Sequence, residues 1–284
     1  MLSISIPTPA PTGKTSADLF DPEAMIRQSY IGWRTGRRSV VTRKPNEGIG
    51  LHVIETELSR KLSDLYKKGE YATGRASLHA HTLHSDGVLT GVELVDAAAQ
   101  QGIHTISITD HDTMDAYFAP TGDMDNTSLV EYAEGQGINL ISGVELSCWW
   151  RTHPVHILAY GIDPSNPHTA DLCKLTAKAT MSRVSMRWWP VQALTICQLV
   201  RALDGIPVLA HPRFYWVNVR RMVRELVEYG GLVGIETEYE YRTHHRRLQC
   251  PLWTPPRIAT IASDGELLRT GGADSHGTDL RQYR

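Results

Sequence analysis

The sequence predicts an α/β protein in which the strands of a parallel sheet are joined by crossover helices. Three observations lead to this fold class. The chain has 284 residues, 41% hydrophobic and 21% charged, a composition typical of a globular protein with a sizeable core. From Ser77 onward, short apolar stretches alternate with helical ones. Polar residues able to bind metals also recur at the ends of the predicted strands.

The predicted elements follow one another along the chain. Leucines at helical spacing in "ETELSRKLSDLYKK" predict an amphipathic helix over 55–68 that packs on the main body. Thr90 and Glu93 form a capping box that opens a helix ending at Gly102. We expect further helices over 125–136, 168–184, 191–204 and 217–229. We expect strands from residue 77 and over 103–109, 138–142, 155–162, 207–212, 232–239 and 267–273.

The first 75 residues are expected to form an extension of the main domain at 76–284. Its start is rich in Pro, Thr and Ser and is expected to be flexible. A basic stretch, "RTGRRSVVTRK" at 34–44, is expected to be a solvated loop or edge, with contact to RNA or a protein partner as the alternative. The amphipathic helix completes this extension.

Charge and cysteine content narrow the function classes. A net charge of -2 gives no global basic field, so a small anionic substrate would depend on metals for positive charge. No basic start precedes an apolar segment, and no apolar run reaches membrane-spanning length, so we expect a cytoplasmic protein without a membrane partner. The widely spaced cysteines predict reduced, buried thiols rather than a zinc knuckle; they are Cys148, Cys173, Cys197 and Cys250.

Candidate metal ligands lie at or near the ends of successive predicted strands. In a barrel of parallel strands the carboxyl ends open onto one face, so residues remote in sequence converge there. Six of the 13 histidines take part in this pattern. In chain order, the candidates are His79, His81, Asp110, His111, Glu145, His156, His211, Asp274 and His276.

The chemistry of these residues suits divalent cations. His79 and His81 are two residues apart in an extended segment, so both imidazoles point to the same side and can reach one ion. Asp86 follows in a turn that Gly87 allows to bend tightly. The two oxygens of Glu145 can bridge two cations. Nitrogen and oxygen ligands without thiolates favour Mn, Fe, Zn or Mg over a structural zinc site.

Six segments in order carry a resemblance to a known family: "SLHAHTLHSDG", "SITDHDT", "SGVELS", "VHILAYGID", "VLAHP" and "GGADSHG". Together they resemble the PHP (polymerase and histidinol phosphatase) domain family, over about residues 76–278. The chain is most similar to its stand-alone metal-dependent phosphoesterases, some of which are nucleoside 3′,5′-bisphosphate phosphatases or 5′→3′ exonucleases of short RNA.

This resemblance implies a distorted (β/α)7 barrel with two or three divalent metal ions. It implies hydrolysis by a metal-bridging hydroxide, with Glu145 and Asp110 as catalytic residues and Asp110 orienting a ligand imidazole or assisting proton transfer. The implied ligands are His79, His81, Glu145 and Asp274 for the first metal, Glu145, His156 and His211 for the second, and Asp86, His111 and His276 for the third.

Substrate recognition is less defined by the sequence. Arg213, directly after "VLAHP", and the pair His244 and His245 are candidates to bind phosphate. "RWWP" at 187–190 is expected to pack, with base stacking as the alternative. His84 is expected to be a surface residue. The family's phosphate-gripping insert is shortened here, at about 165–205, and its arginine motif is missing.

The leading hypothesis is hydrolysis of a phosphoester in a small phosphorylated molecule, with a nucleotide monoester or short oligonucleotide as the expected substrate. Two alternatives stay open. One is histidinol-phosphate phosphatase, which has the same barrel and metals. The other is a metal-binding module without turnover that acts as an interaction protein. The sequence leaves the oligomeric state and the native metal open.

Overall fold

The computed structural model describes residues 56–121, 127–181, 191–239 and 249–281. Its strands form one seven-stranded sheet in which neighbours in the chain are neighbours in the sheet. The strands are β1 (Ala76–Ser77), β2 (Thr105–Ile108), β3 (Asn139–Trp150), β4 (His153–Tyr160), β5 (Ile206–Leu209), β6 (Gly234–Tyr239) and β7 (Leu268–Gly272).

Helices connect most of these strands and cover the sheet. They are α1 (Glu57–Lys67), α2 (Gly91–Gln100), α3 (Leu129–Gly135), α4 (Pro167–Met181), α5 (Ala193–Ala202), α6 (Val219–Glu225) and α7 (Pro255–Asp264). The predicted capping box of α2 is confirmed, since the Thr90 side chain accepts from the Glu93 N–H and the Glu93 carboxylate accepts from the Thr90 N–H. Residues 165–205, predicted to be a shortened insert, include α4 and α5.

The sheet curls until its first and last strands meet. The Leu78 N–H donates to the Gly271 carbonyl at 3.0 Å, and Ala80 forms an isolated parallel bridge with Ser275. Gly272 permits this closure, because a Cβ atom there would lie 2.5 Å from the Cβ of His79. The result is a nearly closed, seven-stranded α/β barrel, which confirms the predicted fold class.

One strand departs from the predicted parallel order. β4 pairs antiparallel with both β3 and β5, whereas the other neighbours pair parallel. Only Arg151 and Thr152 connect β3 to β4, with Arg151 at a φ of 59°. A parallel crossover needs a dozen or more residues, so this link permits only a hairpin. His156 therefore lies near the start of β4 and at the same end of the barrel as Glu145.

Helix α1 covers the amino-terminal end of the barrel. Leu62 is fully buried and packs with side chains from inside the sheet, including Leu78 and Tyr160. Lys61 Nζ donates to Asn139 Oδ1 at 2.5 Å, and Asn139 begins β3. Part of the predicted extension thus belongs to the folded body. The flexible start and the basic stretch lie outside the described residues and stay predictions.

We expect Leu62→Ala to lower the free energy of unfolding by about 2–5 kcal/mol, the usual cost of this truncation in a core. The change removes a fully buried side chain that closes the barrel end. Urea unfolding of the full chain measures the effect. Arg60→Ala, at an exposed position of the same helix, is the matched control and should change little. Equal stability of both variants would contradict a sealing role for α1.

One helix of the fold was not predicted from the sequence. Sequence reasoning missed α7, although its signals are present: Thr254 at the N-cap, Pro255 at the first helical position and Gly265 at the end. All four cysteines are buried and free, as predicted. In the described part of the chain, no helix is long and apolar enough to cross a membrane.

Candidate metal centre

The first group of candidate ligands lies at the closure of the barrel. Nε2 of His79 is 3.0 Å from Glu145 Oε2 and 3.3 Å from Asp274 Oδ1. Nε2 of His81 is 3.2 Å and 2.9 Å from the same two oxygens. All four residues are buried, and one ligand atom from each lies within 4.8 Å of the others. The structure thus brings together the four residues assigned to the first metal.

A second group surrounds the other oxygen of Glu145. Oε1 is 2.7 Å from His156 Nδ1 and 2.9 Å from His211 Nε2. The two nitrogens are 3.3 Å apart. His156 reaches this position because β4 runs antiparallel, and His211 because it follows β5 with a φ of 25°. The residues assigned to the second metal therefore also converge.

The third group lies nearer the surface. Asp86 Oδ1 is 3.1 Å from His276 Nε2, and Asp86 Oδ2 is 3.7 Å from His111 Nε2. His81 Nδ1 also lies 3.6 Å from Asp86, so His81 borders this group as well as the first. The Asp86 side chain is 57% exposed. His111 reaches inward too, with Nδ1 3.4 Å from Glu145 Oε2.

Three buried ligand atoms of this centre lie next to other polar atoms without hydrogen-bond geometry. Among the described residues, His81 Nε2, His111 Nδ1 and Asp274 Oδ1 are buried and have no hydrogen-bond partner. Nearly all buried polar atoms in proteins are hydrogen-bonded, so such atoms need an explanation. Lone pairs that converge on a shared point provide one, since they fit a cation between them. The residues present therefore fit divalent metals.

The electrostatics keep the carboxylates ionised. Burial by itself would raise the pKa of Glu145, but the nearby imidazoles, above all His156 and His79, hold it well below its usual range. Burial would also raise the pKa of Asp86, yet the hydrogen bond with His276 and the charge of His111 lower it to about 2. Both carboxylates are thus available as anionic ligands at neutral pH.

The metal-free centre holds protons on its deepest histidines. Burial alone would lower the pKa of His81, but the adjacent carboxylates of Asp274 and Glu145 outweigh it and raise the pKa to about 9. The pKa of His79 is raised well above its usual value against the same burial, chiefly by the charges of Asp274 and Glu145. A cation that binds here must displace these protons.

Asp110 supports the centre from behind. Its carboxylate accepts hydrogen bonds from the Thr82 N–H at 2.6 Å, the Thr82 hydroxyl at 2.6 Å and the Ser85 hydroxyl at 2.5 Å. These bonds fix the turn that carries Asp86. Gly87 closes the turn, because a Cβ atom there would lie 2.2 Å from the His81 carbonyl oxygen. The structure thus gives Asp110 contacts with the turn, and the predicted proton transfer stays a prediction.

Two residues that support the ligands were missed by sequence reasoning. Tyr239 donates its hydroxyl to Asp274 Oδ2 at 2.8 Å. Glu236 is buried, with Oε1 3.1 Å from His79 Nδ1 and Oε2 accepting from the His211 N–H at 2.7 Å. The available signal was a glutamate directly after the apolar start of a predicted strand, "LVGIETEY", because an acidic side chain is seldom buried without a partner.

The candidate phosphate-binding residues are only partly described. Arg213 is half-buried, and its Nε donates to the Trp253 carbonyl at 3.0 Å. His244, His245 and the "RWWP" segment lie outside the described residues. His84 is exposed, as predicted.

Comparison with known proteins identifies the family. The PHP domain family matches residues 77–189. A phosphoribosyl 1,2-cyclic phosphate 1,2-diphosphodiesterase from Eggerthella lenta is 33% identical, over 70% of this chain and 93% of that protein. The chain belongs to the PHP domain family.

Two other relatives match over a smaller share of their length. The 5′-3′ exoribonuclease Rnm of Escherichia coli is 37% identical over 47% of this chain and 42% of its own. The 3′,5′-nucleoside bisphosphate phosphatase of Chromobacterium violaceum is 36% identical over 57% of this chain and 52% of its own. The chain thus spans about half the length of these two relatives.

Solved structures show the same fold. A protein from Bifidobacterium adolescentis described as a metal-dependent phosphoesterase aligns with a TM-score of 0.56 and 22% identity. A protein from Chromobacterium violaceum described as an amidohydrolase, with bound sulfate, aligns with a TM-score of 0.58 and 20% identity. Each alignment covers 72% of this chain and 88% of the other. The PHP family and the histidine–carboxylate cluster together suggest divalent metal ions.

Proposed function

We propose that the protein is a metal-dependent phosphoesterase that hydrolyses a phosphomonoester of a nucleotide or short oligonucleotide. The observation that carries this proposal is the position of Glu145. One carboxylate oxygen lies among His156 and His211, and the other among His79 and His81, so a single residue can join two cations. Paired cations are a common means of phosphoester hydrolysis.

Two or three cations are proposed. The first would be held by His79, His81, Glu145 and Asp274, the second by Glu145, His156 and His211, and the third by Asp86, His111 and His276. Their nitrogen and oxygen donors suit Mn, Zn, Fe or Mg. When bound, such cations supply Lewis-acid charge for the phosphoryl oxygens and lower the pKa of water toward neutrality.

The ligand side chains differ in their exposure to solvent, and this difference indicates the side from which a substrate would reach the centre. His79 and Glu145 are fully buried and form the floor of the centre. Asp86, His111 and His156 are partly exposed, with 57%, 29% and 26% of their side chains accessible. A phosphate group would therefore approach past the third group, with the buried carboxylates beneath it. Arg213, two residues beyond His211, stays a candidate to bind the phosphate anion.

A nucleotide substrate is supported by the named activities of the relatives from Escherichia coli and Chromobacterium violaceum. Trp216 adds a feature of this chain, since it is 63% exposed on the loop that follows His211. An accessible indole at the carboxyl end of β5 suits base stacking. A cytoplasmic location and the absence of a membrane partner stay predictions from the sequence.

A second candidate is hydrolysis of a cyclic phosphodiester. It is favoured by the Eggerthella lenta relative, whose match extends over 93% of that protein. Histidinol-phosphate phosphatase and a non-catalytic module are less favoured alternatives, because the relatives discussed above are named for reactions on nucleotides, RNA or a sugar phosphate.

Hydrolysis of a defined panel of phosphoesters, followed by analysis of the products, tests the proposal. The purified full chain, loaded with Mn, is assayed with a nucleoside 3′,5′-bisphosphate, a 5′-phosphorylated oligoribonucleotide, phosphoribosyl 1,2-cyclic phosphate and histidinol phosphate. We expect turnover of one of the first two. Turnover of the cyclic phosphate alone would select the second candidate, and bound metal without any turnover would select the non-catalytic module.

A further inference from the structure

The side chain of Glu236 lies beneath the first two ligand groups and touches both. Its Oε1 is 3.1 Å from His79 Nδ1, and its Oε2 accepts from the His211 N–H at 2.7 Å. We infer that Glu236 is a positioning residue that holds one ligand of each of the first two metals in its binding geometry. The inference rests on the proposed function of the centre.

The contact with His79 fixes how that imidazole presents itself. When Nδ1–H donates to Glu236, the Nε2 lone pair faces Glu145 Oε2 and Asp274 Oδ1, 3.0 Å and 3.3 Å away. A carboxylate behind a ligand histidine sets both its tautomer and its ring orientation. Glu236 therefore selects Nε2 as the ligand atom of His79.

The contact with His211 acts on the backbone instead. His211 has a φ of 25°, a left-handed conformation that non-glycine residues adopt only when their surroundings enforce it. The bond from its N–H to Glu236 supplies such enforcement within the barrel. In this conformation Nε2 of His211 lies 2.9 Å from Glu145 Oε1. Glu236 thus sets the direction in which His211 leaves β5.

Strand β6 has an irregularity directly after Glu236. The pairing of β6 with β7 is regular at Glu236 opposite Thr270, but its register shifts between Glu236 and Glu238. Such a bulge re-aims side chains and is common beside active sites. Glu238 lies instead in a surface cavity bordered by Tyr66 and Lys67 of α1. Two glutamates of one strand therefore have different surroundings.

A purely structural role explains Glu236 poorly. A carboxyl group with 1% of its residue surface exposed costs free energy unless it is well paired, and apolar replacements of buried ionic groups are often neutral or stabilising. The hydrogen bonds described for its side chain lead to His79 and to the His211 backbone, both of which belong to the metal centre. Its position serves the ligands rather than the packing of the barrel.

The test is Glu236→Gln in the full chain, with Glu238→Gln as the matched control. Glutamine offers one acceptor oxygen where glutamate offers two, so it can serve His79 or the His211 N–H but not both. Co²⁺ titration, followed by calorimetry and by the visible absorption of the bound ion, reads affinity and ligand geometry without any turnover. We expect about 10–100-fold weaker binding and an altered absorption spectrum for Glu236→Gln. The control should match the parent protein.

A second variant, Glu236→Asp, keeps two acceptor oxygens on a shorter side chain. It should bind Co²⁺ with an affinity between those of the parent and of Glu236→Gln, and it keeps the test decisive if the glutamine variant does not fold. Parent-like affinity and spectrum in either folded variant would overturn the inference. A parent protein that binds Co²⁺ but releases no phosphate from the substrate panel would overturn the proposed function alone.

Discussion

Glu145→Gln is expected to lose metal and to lower the rate of phosphoester hydrolysis by about 10³-fold or more. A cation that acts as a Lewis acid contributes several kcal/mol to transition-state stabilisation, and each 1.36 kcal/mol is worth a factor of ten in rate. Glu145 contacts ligands of both the first and the second group, so its replacement weakens two cation sites at once.

The glutamine side chain has the same size but the wrong chemistry. It is neutral, and its amide nitrogen is a donor that would face either His156 and His211 or His79 and His81. The surrounding imidazoles would also lose the charge that, against burial, raises the pKa of His156. Glu145→Gln therefore leaves the first and second ligand groups without a shared anionic ligand.

Metal analysis and the hydrolysis assay, run on the same preparations, measure this effect. Glu238→Gln, an isosteric change on β6, serves as the control and should retain both metal and rate. Circular dichroism checks that each variant keeps its fold. If Glu145→Gln kept the parent metal content and rate, the proposed bridging role of Glu145 would be wrong.

Much of the centre follows from one rule about strands. The carboxyl ends of parallel strands share one end of a barrel, which predicts that His79, His81, Asp274 and His276 meet although almost 200 residues separate the pairs. Their proximity in the structure agrees with this rule. The sequence was sufficient to predict this part of the centre, because each of the two pairs of residues directly follows a strand.

The positions of the other residues of the centre depend on the direction and register of the strands, which the spacing of residues along the sequence does not determine. His156 lies at the right end only because a two-residue link turns β4 antiparallel, and a periodicity of apolar residues is the same in either direction. Tyr239 reaches Asp274 from β6 after a register shift between Glu236 and Glu238. Such a shift is set by the pairing of a strand with its neighbours, and the sequence of the strand alone does not reveal it.

Divalent metal is expected to stabilise the fold more strongly at pH 8.5 than at pH 6.5. Ligands that bind only the native state raise its stability in proportion to the logarithm of their concentration over the dissociation constant. Metal ligands must be unprotonated, so protons compete with the cation. In the metal-free centre this competition falls on His81, whose pKa is raised to about 9, and on His79, whose pKa is also raised well above its usual value.

The direction of each pKa shift determines whether the stability of the metal-free fold rises or falls with pH. His81 has a raised pKa, so its proton stabilises the metal-free fold fully below about pH 6.5, and this contribution is lost as the pH rises toward 9. Glu145 and Asp274 have lowered pKa values because the charges of nearby histidines outweigh burial. They are ionised throughout this window and add no slope. Metal affinity should therefore rise by about tenfold per pH unit for each proton displaced.

Thermal unfolding with and without Mn at pH 6.5, 7.5 and 8.5 measures this linkage. The metal-free midpoint should fall with pH, and the increment caused by Mn should grow. Proton release on metal addition, read with an indicator dye in weak buffer, should decrease as the pH approaches 9, because less His81 then carries a proton. His84→Ala, at an exposed histidine of the following turn, should keep the parent pH dependence. An increment that stays constant from pH 6.5 to 8.5 would mean that His81 gives up no proton to the metal, and it would remove His81 from the ligand set.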